Sequence, residues 1–142
     1  MNEIILNKKI SIERCIAQIR RYYAIESEKP FEKDFLKQDA IGMNLQRMSE
    51  LTIDIANYLI KTRKLGLPQD SADAFALLHR AGLISETMME NMKGMVGFRN
   101  VLVHEYKKLD LAVMIDVIEH HLNDPLDFAN LAFAVLNAPS KT

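Results

Sequence analysis

A chain of 142 residues, 49% apolar and 26% charged, is long enough to bury a core and too apolar to be disordered. A formal net charge of −1 excludes a general attraction to nucleic acid, so any RNA contact must come from a local patch or a site made by two chains. No apolar run approaches the roughly 20 residues of a membrane span, the N-terminus lacks the pattern of a secretory leader, and the one cysteine, Cys15, fits a reducing cytoplasm.

Helical spacing dominates the chain. The first helix is predicted over Glu3–Glu26, with Ile5, Ile12, Ile16, Ile19 and Tyr23 on one face and Cys15 packing as a small apolar side chain. The second, from about Asp34 to Arg63, carries Ile41, Leu45, Met48, Thr52, Ile55 and Leu59 in alternating steps of four and three. Ile53 and Ile60 widen that stripe, which predicts a central helix packed against several neighbours. Gly66 and Pro68 end it. Ser71 is expected to cap a short third helix bearing Phe75, Leu77 and Leu78, closed by Gly82; Ser85 caps a fourth. Asp110 opens a fifth, and Asp124, with Pro125 at the first helical position, starts a last segment to about Leu136. These elements predict one all-α domain over residues 1–142, an up-and-down bundle of four to five helices.

The stretch GFRNVLVHEYKK, residues 97 to 108, sets an arginine, a histidine and a tyrosine around an apolar run. On one continuous helix Arg99 and His104 would point about 140° apart, at about 100° per residue. A helix ending near Leu102 or Val103 would instead let His104 and Tyr106 point to one side in extended backbone. The second arrangement is expected, because it brings all three toward one cleft. The residue types suit a phosphodiester. An arginine fork matches phosphate oxygens two at a time, and a histidine can take a proton from a ribose 2′-hydroxyl or give one to a leaving oxygen. Lys107 and Lys108 add positive charge beside Tyr106. The pattern alone leaves a bland reading open, in which these groups cap a helix end and the histidine is a satisfied buried side chain.

Arg99, Asn100, His104 and Tyr106, written R-N-x3-H-x-Y, resemble the signature of the HEPN superfamily. The fuller stretch MVGFRNVLVHEY is similar to the HepT branch, the toxin half of HEPN/MNT toxin–antitoxin modules, and the likeness extends over roughly residues 34–110. The resemblance implies a helical bundle pairing as a homodimer and a metal-independent endoribonuclease acting through the 2′-hydroxyl. Arg99 and His104 would be the catalytic pair and Asn100 would help position the arginine. It also implies that a cognate MNT-type nucleotidyltransferase antitoxin adds AMP to Tyr106, filling the cleft with an anionic group that repels RNA. No cofactor is implied.

Other groups carry less. Adjacent His120 and His121 point about 100° apart on a helix and cannot chelate as a pair, so no metal site is expected. His79 lies where a cation favours a helix C-terminus. Arg47, Glu50 and Asp54 share a face and read as a solvated ladder of ion pairs, with a part in a dimer cleft as the alternative. Met88, Met89, Met92 and Met95 read as adaptable core, and Gly94 and Gly97 as easing close helix packing or a kink. Two functional readings from other classes stand beside the toxin: a non-catalytic helical partner subunit of a nucleotidyltransferase, and a plain helical interaction module.

Overall fold

The computed structural model describes residues 2–138. It is all-α among those residues, with α1 over Glu3–Ala24, α2 over Phe35–Arg63, α3 over Ser71–Arg80, α4 over Glu86–His104, α5 over Leu111–His120 and α6 over Asn123–Asn137; short 3-10 turns cover Phe31–Lys33 and Tyr106–Lys108. Six helices replace the four to five expected. Every segment read as helical is a helix of its own, the short α3 and α5 included, and a break at His121 (φ −127°, ψ 5°) divides α5 from α6.

The stripe on α2 explains the architecture. Ile41, Leu45, Met48, Thr52, Ile55 and Leu59 are all buried, as are Ile53 and Ile60. With so wide a buried face, α2 packs against α1, α3, α4 and α6 at once. The hydroxyl of Thr52 survives there by donating 2.7 Å to the Met48 carbonyl one turn back. Ile5, Ile12, Cys15, Ile16 and Ile19 of α1 complete the core with Phe75 and Phe128, which meet edge to face with centroids 5.2 Å apart. Met89 and Met92 are buried in it, as the methionine cluster predicted.

Side-chain pairings give the helix directions. Asn2 reaches both Tyr58 and Asn137, whereas Arg20 reaches Asn123, so α1 runs antiparallel to α2 and to α6. Arg99 meets Glu50 and Tyr106 meets Asp39, so α4 runs antiparallel to α2 and ends beside its beginning.

Caps separate right from wrong expectations about boundaries. Ser85 accepts from Met88 N at 3.1 Å and Asp110 from Ala112 N at 2.9 Å, both as predicted. Asp70, not Ser71, caps α3, accepting from Asp73 N at 2.8 Å, because its carboxylate reaches the first turn from one residue earlier. Gly82, at φ 77°, closes α3 with paired bonds from Leu83 N to Leu78 O and from Gly82 N to His79 O. Asp124 does not cap α6, which begins one residue earlier at Asn123; its carboxylate bonds His121 instead. Gly94 and Gly97 ease no close packing among the described residues, since a Cβ on either would meet nothing within 4 Å. No helix among the described residues is long and apolar enough to cross a membrane.

Candidate functional site

The end of α4 is where the chemistry-bearing residues lie. The helix continues through His104 and ends at Glu105 (φ −139°, ψ 42°), one to two residues later than expected. Tyr106 is therefore in a 3-10 turn, not extended backbone. Arg99 and His104 sit on one continuous helix and diverge by about 140°. The expected convergence of Arg99, His104 and Tyr106 within a single chain does not occur. The reason is the backbone: Glu105 N still donates to Val101 O at 2.9 Å, which holds the last turn helical.

Arg99 is anchored from two directions. Its Nη1 donates to Asn100 Oδ1 at 3.1 Å and its Nη2 to Glu50 Oε1 at 3.5 Å on α2. Its buried Nε has no partner among the described residues, a desolvated donor of the kind that costs stability and is retained at functional sites. Glu50 also accepts 3.1 Å from Gln46 Nε2. The ladder expected along α2 is thus not one: Glu50 reaches across to α4, Asp54 pairs with Lys8 at 3.5 Å, and Arg47 has no ion-pair partner among the described residues. His104 is exposed and makes no side-chain hydrogen bond among them, so its ring is open to solvent or to another molecule.

Tyr106 leans back onto α2. Its hydroxyl donates to Asp39 Oδ1 at 2.8 Å, and its ring edge lies over Gly42, where a Cβ would come 3.9 Å from Tyr106 Cε2. Burial first, then the Asp39 carboxylate, pushes its phenol up to about 12. Asp39, Gly42, Met43, Gln46, Leu102 and Tyr106 line a shallow pocket of about 310 Å³. Lys107 and Lys108 are exposed in the same turn, Lys108 paired with Glu105 at 3.8 Å. A pocket of about 230 Å³ bordered by α2, α4, α5 and α6 shares none of the residues around Tyr106. Its histidine, His121, is tied to Asp116 at 3.3 Å and Asp124 at 2.8 Å.

The HepT-like profile, described as ribonuclease HepT-like, matches residues 12–131. The chain belongs to the HepT-like ribonuclease family. The mRNA nuclease HepT of Shewanella oneidensis is 45% identical over 124 residues, spanning 87% of this chain and 92% of its own length. The fold superposes on the tri-AMPylated HEPN toxin of Shewanella oneidensis, solved in complex with MNT antitoxin, with a TM-score of 0.87 and 43% identity over 94% of this chain and 99% of that one. A toxin–antitoxin structure with AMP-PNP matches at a TM-score of 0.86 and 42% identity, covering 93% of this chain and 99% of that one.

The HEPN-like fold thus follows the resemblance carried by R-N-x3-H-x-Y, with six helices among the described residues. Within this HepT-like chain the sequence singled out Arg99, Asn100, His104, Tyr106, Lys107 and Lys108, and all lie at the end of α4 or in the turn after it. Sequence reasoning missed Asp39 and Gln46 and misread Glu50. Their signal was present as spacing: Asp39, Gly42, Gln46 and Glu50 recur every three to four residues and so form one polar stripe along α2. What that stripe faces is set by the packing of α4. Elsewhere, His79 Nδ1 lies 3.0 Å from Ile84 O, and no group of three His, Cys, Asp or Glu among the described residues could hold a metal ion.

Proposed function

We propose that this chain, as a single HEPN-type domain, is the toxin of a HEPN/MNT toxin–antitoxin pair: an endoribonuclease that cuts messenger RNA in the cytoplasm and is silenced by AMP placed on Tyr106. The observation that carries the catalytic part is the state of the two motif residues. Arg99 is braced by Glu50 and Asn100, while His104, 140° or so around the same helix, is exposed, its ring making no hydrogen bond among the described residues.

Two residues pointing about 140° apart on one helix are poorly placed to meet at one phosphodiester within a single chain. A homodimer supplies the remedy, with Arg99 of each copy facing His104 across a shared cleft. Met43 (53% exposed) and Val103 (39% exposed) beside the motif offer the apolar surface such pairing would cover. The exposed Lys107 and Lys108 in the turn after α4, doubled by the pairing, add local positive charge to a chain of net charge −1.

The chemistry then follows from residue types. Arg99 fixes the non-bridging phosphate oxygens and stabilises charge as it builds on the phosphorane. One His104 takes the 2′-hydroxyl proton as the oxygen attacks phosphorus, and a histidine of the pair delivers a proton to the departing 5′-oxygen. The products are a 2′,3′-cyclic phosphate and a 5′-hydroxyl, with no step requiring a metal ion. Tyr106 lies in the turn directly after His104, so an AMP on its hydroxyl would place a bulky anion where RNA phosphate must enter. The AMPylated state of the Shewanella oneidensis toxin supports this.

The test is RNA cleavage in excess EDTA by the unmodified protein, its mass verified, beside His104→Ala. Cleavage by wild type alone, leaving 2′,3′-cyclic ends, is expected. No cleavage of several RNAs by folded, unmodified wild type would refute the reading and favour a partner subunit that serves a nucleotidyltransferase.

A further inference from the structure

Asp39 stands in the second turn of α2, where its exposed side chain fills no part of the core, yet its carboxylate is aimed at one atom, accepting from Tyr106 Oη at 2.8 Å. The tyrosine ring lies against α2 over Gly42, three residues on, so the hydroxyl arrives at the carboxylate rather than in open solvent. We propose that Asp39 is the proton acceptor in nucleotide transfer onto Tyr106, a catalytic group that the modified chain itself supplies to its own silencing. This rests on the reading of Tyr106 as the AMP acceptor.

The step balances as follows in atoms and charge. Tyr106 Oη attacks the α-phosphorus of a nucleoside triphosphate brought by the transferase, and the Oη–P bond forms. The bond from that phosphorus to the β-phosphate oxygen breaks, and pyrophosphate leaves with the electron pair. The phenolic proton passes to Asp39 Oδ1 and from there to solvent.

An acceptor is needed because a neutral phenol is a weak nucleophile and its anion is scarce. With ionisation pushed up to about 12, the phenolate is on the order of one part in 10⁵ at pH 7. A route through preformed phenolate is therefore poorer here than for an unpaired tyrosine. The same hydrogen bond that suppresses ionisation at rest becomes the path for the proton once phosphorus draws electrons from the oxygen. The carboxylate is already within hydrogen-bond reach, so no group has to move.

A positioning role alone predicts something different, and Asp39→Asn separates the two. The amide oxygen can still accept from Tyr106 and hold the ring, but the side chain no longer takes a proton. Wild type, Asp39→Asn, Asp39→Ala, Asp39→Glu and Tyr106→Phe, each confirmed folded by circular dichroism, are mixed with the cognate nucleotidyltransferase and ATP. Intact mass gives single-turnover rates across a range of acceptor concentration, and peptide mass spectrometry locates the AMP.

We expect AMP on Tyr106 in wild type and none on that peptide in Tyr106→Phe. Asp39→Asn should lose about 10²-fold or more in the limiting rate, the usual worth of a positioned base, with little change in half-saturation. Asp39→Glu should recover part of that loss. Three results overturn the inference: an Asp39→Asn rate within about threefold of wild type, where a positioned base should cost far more; a loss in Asp39→Ala alone, which assigns positioning; or a loss confined to half-saturation, which assigns docking. Wild type modified elsewhere or not at all would overturn the Tyr106 reading as well, and that is visible without any variant.

Discussion

Replacing Gly42 by alanine should stabilise the protein, although the glycine is buried in the third turn of α2 against the candidate site. A Cβ there would lie 3.8 Å from Leu102 Cδ2, 3.9 Å from Met114 Cε and 3.9 Å from Tyr106 Cε2. Those are ordinary van der Waals contacts, so nothing has to shift. Alanine exceeds glycine by about 0.8–1.0 kcal/mol in a helix interior, largely because the unfolded chain has less freedom to lose. The buried methyl adds some fraction of about 0.8 kcal/mol. A net gain of about 1 kcal/mol follows. At about 2.1 cal/mol/K of unfolding entropy per residue, a chain of this length gains about 3 °C in Tm for each kcal/mol. Thermal melts by circular dichroism, run at one fixed protein concentration so that any self-association cancels, read it directly. Urea unfolding should show a higher midpoint at unchanged slope. A fall in Tm would refute the reasoning, showing that the ring of Tyr106 sits too tightly on α2 to admit a methyl.

Phe128→Ala should cost about 3–5 kcal/mol, because Phe128 is fully buried and stacked edge-on against Phe75; denaturant unfolding measures it, and a loss under about 1 kcal/mol would contradict the packing. Arg99→Lys keeps the charge but gives up the planar fork that meets both Asn100 and Glu50. RNA cleavage should fall at least about tenfold with Tm nearly unchanged, and wild-type cleavage would show that charge alone suffices. Tyr106 ionises at about 12 in the folded protein, above the ordinary phenol value near about 10. A pKa raised by folding gives stability that is complete below about pH 10 and lost as pH climbs toward 12. Ultraviolet titration should therefore find Tyr106 un-ionised well above pH 10, and Asp39→Asn should bring it down.

The second helix was legible in the sequence down to its individual core residues. Each of Ile41, Leu45, Met48, Thr52, Ile55 and Leu59 is buried as its spacing required, since a long run of regular periodicity leaves no competing fold for the segment. Caps were legible where a single candidate stood at a boundary, as at Ser85 and Asp110, and not where two neighbours competed, as at Asp70 and Ser71. The end of α4 was misplaced because nothing local stops a helix at Leu102 or Val103; Val101, Leu102 and Val103 tolerate helix, and the break falls only where Glu105 leaves helical angles.

By itself the sequence determined the all-helical class, the central helix and the motif Arg99, Asn100, His104 and Tyr106, because periodicity and a short motif are properties of contiguous residues. Only the tertiary structure decided that Asp39 faces the Tyr106 hydroxyl, that Glu50 braces Arg99, and that Arg99 and His104 of one chain diverge. Those facts depend on how α4 lies antiparallel along α2, joining residues 49 and 67 positions apart. A contact across that distance is fixed by packing two helix faces together, and no local pattern in either helix encodes it.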